Sequence, residues 1–187
     1  MRTLLVALPA LLLLSNCGDS ANSPKGELPM AITMKSPAFE VNGVIPKKHT
    51  GEGDDVSPAL DWSGVPKAAK ELALICDDPD APRKEPWVHW VIYGIPPDTT
   101  ALPENVKKDK QLTDPKNARQ GMNDFGKTGY NGPMPPKGHG VHHYHFKLYA
   151  FDTALNLDAG LTKDAFLAAS KKHLMAQGEL IGTYERK

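Results

Sequence analysis

Residues 132–146 read GPMPPKGHGVHHYHF, and four of the seven histidines, His139, His142, His143 and His145, fall within seven of those positions. Histidine changes charge between pH 5 and 8 and is the commonest metal ligand, so this stretch could serve acid–base, anion-binding or metal chemistry. A second stretch, CDDPDAPRKEPWVHW at residues 76–90, places Asp77, Asp78, Asp80 and His89 around Pro79 and Pro82. Carboxylates and imidazoles can pair there. No Ser or Cys stands in a nucleophile-elbow motif. Aspartate plus histidine could still perform acid–base work, which keeps a hydrolase as an alternative to a binding domain.

Both stretches sit on candidate strands, where successive side chains point to opposite faces. Along residues 141–151, His142, Tyr144, Phe146, Leu148 and Ala150 share one face, while His143, His145 and Lys147 share the other, towards solvent. The histidines are therefore split between two environments. A metal needs three or four ligands at about 2.0 to 2.2 Å. His143 and His145, roughly 7 Å apart along one strand face, supply two, so neither a metal nor another cofactor is expected. In residues 71–78 the same parity puts Asp78 on the face of Leu72, Leu74 and Cys76. A carboxylate there must find donors such as imidazole N–H or tyrosine O–H. Asp77 is expected to cap local backbone N–H groups, and Cys76, in the run LALIC, to be buried as a small hydrophobe. His139 lies in the preceding loop, and the pattern assigns it no place.

The elements that must position these residues are short. Candidate strands are residues 31–36, 60–63, 71–77, 87–95, 141–151 and 180–186. WVHWVIYGI at 87–95 is apolar on both faces, as befits a central strand covered on two sides. The 17 prolines and 16 glycines fall between these runs, which favours a mainly β sandwich over an α/β layered fold. One helix is expected over residues 162–178, with Thr162 as N-cap, Asp164 in the first turn and Gly178 as the C-terminal stop. A shorter one is expected near 115–120. The 44 residues between Ile95 and Gly140 show little periodicity; connections that long carry function or brace a site.

The chain opens MRTLLVALPALLLLSNCGDS, with Arg2 ahead of twelve mostly apolar residues from Thr3 to Leu14. That run is short of the ~20 residues needed to span a bilayer and reads as an export signal. Leu14-Ser15-Asn16-Cys17 resembles the lipobox of bacterial lipoproteins, with Asn16 where Gly, Ala or Ser is usual. Residues 1–16 are then the signal, 17–28 a polar tether starting at a lipidated Cys17, and 29–187 one domain with enough chain for a sizeable core. This implies an exported domain at the cell envelope, on the periplasmic side of a bacterial membrane and held to it only by the anchor. Without the signal, Lys plus Arg falls from 22 to 21 against 22 Asp plus Glu, and no basic block points to nucleic acid. With Cys17 lipidated, Cys76 has no disulfide partner.

Four motifs in order carry a resemblance: Asp78-Pro79-Asp80-Ala81-Pro82; Trp87-Val88-His89-Trp90 with Ile95-Pro96; Gly129-Tyr130-Asn131-Gly132-Pro133 through Pro135-Pro136 to His142-His143-Tyr144; and Gly178-Glu179-Leu180-Ile181-Gly182-Thr183-Tyr184. Together they resemble the phosphatidylethanolamine-binding protein family, in particular its bacterial and archaeal Raf kinase inhibitor-like branch. The resemblance implies a sandwich of two mostly antiparallel sheets with a C-terminal helix and long pocket-forming loops. It also implies a small cavity for an anion such as phosphate or a phospholipid head group. By position, the cavity would be formed by Asp78, Asp80, His89, Gly132, Pro136, His142 and Tyr144. Asp78 would bond His89 or His142 and turn that ring's other N–H to the ligand, aided by Tyr144 O–H and backbone N–H groups of residues 132–138. Binding would then strengthen as the histidines become protonated below about pH 6.5. His143 stands where the family usually has Arg, which bears on a buttressing ion pair. The family's backbone bend before the histidine strand implies a cis Glu85–Pro86 bond. A protein partner, inhibited or regulated, is a further implication, and recognition of a partner's acidic or phosphorylated group is the other alternative.

Overall fold

In the computed structural model residues 32–187 are described, so the expected signal, Cys17 and the tether lie outside the described residues. Eight strands and one α-helix form: β1 (Thr33–Lys35), β2 (Leu60–Ser63), β3 (Glu71–Asp78), β4 (Trp87–Ile95), β5 (Ala101–Leu102), β6 (Arg119–Gln120), β7 (Val141–Phe151), α1 (Lys163–Ser170) and β8 (Leu174–Glu185). They make two antiparallel sheets, ordered β1-β2-β5 and β6-β4-β3-β7-β8, the mainly β sandwich that the short runs and turn residues imply.

Strands β3 and β4 are apolar on both faces because both faces are covered. Between the sheets, Trp62, Leu72, Leu74, Cys76, Trp90, Ile92, Phe146 and Leu148 belong to the main core. On the outer face Ala73, Ile75, Val91, Tyr93 and Phe151 pack with Phe166 of α1, and the Tyr93 and Phe166 rings stack at 5.0 Å. Full burial of one such large side chain contributes about 1.5–3 kcal/mol. The central strand is β3; β4 lies one place in from the edge, flanked by the two-residue β6.

Three local expectations are corrected here. Asp77 does not cap nearby backbone: its side chain is 1% exposed and is bound by the ammonium groups of Lys147 and Lys163. Burial opposes its charge, yet those two ammoniums hold the carboxyl below the usual aspartate range. A buried charge needs a charged partner, and α1, laid across this face, delivers Lys163 to it. Secondly, Thr162 caps α1 by accepting the Ala165 N–H, but the helix stops at Ser170, and after a 3-10 turn the chain enters β8 at Leu174. Gly178 is therefore a mid-strand residue. It is glycine because a Cβ there would lie 2.2 Å from the Ile32 carbonyl oxygen. Finally, residues 115–120 form no helix. Gln120 is buried in β6, where its Oε1 accepts Trp90 Nε1–H at 2.7 Å and its Nε2 donates to the Lys107 and Asp109 carbonyls at 2.7 Å each. That side chain braces the long connection by satisfying backbone far from it in sequence.

Candidate functional site

The ends of three neighbouring strands meet two loops at one cavity of about 230 Å³. Asp78 comes from the end of β3, Trp87 and His89 from β4, and His142 and Tyr144 from β7. Ala81 and Pro82 from one loop and Phe125, Met134, Pro135 and Pro136 from the other complete the wall. Of the residues expected from sequence, Asp78, His89, Pro136, His142 and Tyr144 line this cavity; Asp80 and Gly132 do not. Asp80 instead accepts both the ring Nδ1–H and the backbone N–H of His143, at 2.7 and 2.8 Å. Although burial opposes it, these two donors hold the Asp80 carboxyl below its ordinary range. Thus His143, at the position where the resemblance implies Arg, supplies two hydrogen bonds to Asp80. Gly132 packs against the 3-10 turn at residues 47–49, and its N–H donates to Asp55 Oδ1 at 2.7 Å.

Asp78 is buried, and its two oxygens are used differently. Oδ1 accepts the Asp80 N–H at 2.8 Å, closing a turn of the kind Asp favours ahead of irregular chain. Oδ2 accepts from His142 Nδ1 at 2.7 Å, one of the two pairings expected. The other ring nitrogen of His142, expected to face the ligand, is taken instead: Nε2 lies 2.7 Å from His139 Nδ1. His139, which the strand pattern left unplaced, thus stands at the end of an Asp78–His142–His139 chain.

His89 bonds no aspartate. Its Nδ1 lies 2.6 Å from the Asn131 carbonyl, which can only accept, so Nδ1 carries the proton. Burial pushes the His89 pKa down, and the neutral ring presents Nε2 as a bare acceptor. Asn131 is fixed in turn by its Nδ2–H to Asp55 Oδ2 at 2.8 Å and by Asn123 Nδ2–H to its Oδ1 at 2.9 Å. The Tyr144 ring meets His89 edge-on at 5.1 Å. Burial, with the nearby Asp78 charge, pushes the Tyr144 hydroxyl pKa well up, so Tyr144 stays a donor. Among the described residues neither Tyr144 Oη nor Trp87 Nε1 finds a hydrogen-bond partner, and both atoms are buried.

Trp87 is held from behind. The Arg83 guanidinium lies over its ring at 4.9 Å and donates to Asp124 Oδ2 at 2.7 Å. Arg83 also donates to the Glu85 and Pro86 carbonyls at 2.7 and 3.2 Å. The Glu85–Pro86 bond is trans, against expectation; the one cis bond among the described residues is Asp114–Pro115. Arg83, gathering two successive carbonyls, shapes the entry into β4. Sequence reasoning missed Trp87, Phe125 and Met134 as cavity walls. Trp87 begins the very strand that carries His89, so its parity was a usable signal, whereas Phe125 and Met134 come from aperiodic chain. Among the described residues no three His, Cys, Asp or Glu side chains gather as a metal site.

Comparison with known proteins places this geometry. The family model described as phosphatidylethanolamine-binding protein matches residues 35–185. A UPF0098 protein of Methanothermobacter thermautotrophicus is 50% identical over 155 residues, covering 83% of this chain and 99% of its own length. Among solved structures, the phosphatidylethanolamine-binding protein homolog CT736 of Chlamydia trachomatis is 38% identical with a TM-score of 0.75. YbcL of Escherichia coli is 34% identical with a TM-score of 0.78. Each structural match covers 84% of this chain and 99% of the other.

Proposed function

Because the chain belongs to the phosphatidylethanolamine-binding protein family, we propose that its cavity binds a small ligand through an oxyanion, a phosphate or a phospholipid head group, at the cell envelope. The observation that carries this reading is the pair of buried donors in cavity-lining positions, Trp87 Nε1–H and Tyr144 O–H, which have no partner among the described residues. A buried donor left unpaired costs about 1–3 kcal/mol, which an oxygen acceptor would recover. Asp78 and His89 Nε2 are acceptors on the same wall, so the ligand that suits the site also presents a donor, as a protonated phosphate or an ethanolamine ammonium does.

The test is isothermal titration of inorganic phosphate and of glycerophosphoethanolamine, which distinguishes a free anion from a head group. Tyr144→Phe and Trp87→Phe should each weaken the ligand that binds by roughly tenfold, the loss of one hydrogen bond to a charged group. Unchanged affinity in both variants would overturn the reading. The envelope location is supported by the signal-like run before Cys17. Expressed in a bacterium fed radiolabelled palmitate, the wild-type chain should take up label and Cys17→Ala should not; equal labelling would remove the anchor.

A further inference from the structure

His142 is buried at 1% exposure, yet both its ring nitrogens are occupied, by Asp78 Oδ2 and by His139 Nδ1, at 2.7 Å each. An ionised carboxylate only accepts, so the proton between Asp78 and His142 rests on Nδ1. In neutral His142 the Nε2 is then an acceptor, and His139 donates its Nδ1–H to it. His139 is an exposed residue, and its Nε2 is free of any protein hydrogen bond among the described residues. One added proton breaks nothing: it binds His139 Nε2, and the positive charge is shared along the two rings towards Asp78.

We infer that His139 is the solvent port of a proton relay, through which the pocket takes up one proton as an anion enters. This rests on the reading of the cavity as an oxyanion site. An anion brought beside Asp78 meets a like charge, and a proton on the His139–His142 pair offsets it, so proton and anion each strengthen the other's binding by the same factor. The other ionisable groups around the pair are committed elsewhere. Asp80 is bound to His143. His89 is fixed by the Asn131 carbonyl. Tyr144 stays protonated through burial. From β8, Tyr184, in register with His142, gives its hydroxyl hydrogen to Glu52, which also pairs with Arg186. His142 and His139 are thus the route that connects Asp78 to solvent.

The test uses sulfate, a tetrahedral anion that does not titrate between pH 5 and 8, and the full chain in detergent. Titration calorimetry in buffers of different ionisation enthalpy counts protons taken up per sulfate bound. The wild type should take up close to one where its affinity is most pH-dependent, with affinity falling by up to about tenfold per pH unit as pH rises through that region and levelling off above it. His139→Gln keeps an N–H for His142 Nε2 but cannot accept the proton, so it should still bind sulfate while its proton uptake falls near zero and its pH profile flattens. Undiminished uptake in His139→Gln, uptake that vanishes instead in His89→Gln, or binding without uptake in the wild type would each overturn the inference. If neither sulfate nor phosphate binds the wild type at any pH, the oxyanion reading itself falls, and the relay with it.

Discussion

Gly132→Ala should destabilise the domain by about 3 kcal/mol, the upper end for overpacking, and distort the cavity wall. A Cβ at position 132 would lie 2.1 Å from the His49 carbonyl oxygen and 2.7 Å from Thr50 Cα. Those are backbone atoms, so no side chain can swing aside. The 3-10 turn that carries them is itself pinned: Tyr130 O–H donates to His49 O at 2.7 Å, Gly51 N–H to Pro133 O at 2.9 Å, and His49 Nδ1 bonds Val56 O at 3.0 Å. Relief of the clash must therefore move residues 131–133. That shift would break the Gly132 N–H bond to Asp55 and displace the Asn131 carbonyl that sets the His89 ring. Urea unfolding followed by tryptophan fluorescence checks it; a loss below about 0.5 kcal/mol, the scale of an ordinary surface substitution, would show that the turn yields. Resemblance alone assigns Gly132 to a ligand, whereas the structure makes it a tight backbone contact behind the cavity wall.

The parts legible in the sequence share one physical basis, a local period. Two-residue alternation in β7 is enough to turn His142 and Tyr144 inward and His143, His145 and Lys147 outward, and parity in β3 places Asp78 on the inner face. Burial along β7 follows that alternation. What the period cannot supply is who waits on the other side. His143, His145 and Lys147 do face outwards, but they meet Asp80, Glu179 and Asp77 across the sheet, which strand order decides. Gly178 reads as a helix stop because glycine often ends helices; only the approach of Ile32 from a distant segment shows it as a mid-strand contact. His139 sits in a loop without period, and its role appears once β3, β7 and that loop are brought together.

Asp78 and His142 should show a coupling of about 2–3 kcal/mol in a double-mutant cycle on stability, at the upper end for residues in contact. His142→Ala leaves a carboxylate that is 3% exposed with the Asp80 N–H as its remaining donor. Breaking a buried pair in this way is expected to cost about 3–5 kcal/mol. Asp78→Asn should cost less, about 1–2 kcal/mol, for a reason built into the chain of rings. The asparagine Oδ1 can still accept from Asp80, and its amide N–H would face His142 Nδ1. His142 can then adopt the other tautomer, accept at Nδ1 and donate Nε2–H to His139 Nδ1, so the whole chain reverses direction without losing a hydrogen bond. Once Asp78 is Asn, removing His142 no longer strands a charge, and the double variant should be more stable than the two single losses predict. Urea midpoints of the four proteins at one pH measure it. A coupling under 0.5 kcal/mol would mean that Asp78 finds other donors when His142 is gone. In that case the polar chain from β3 to the solvent-facing loop would not be what holds this end of the pocket together.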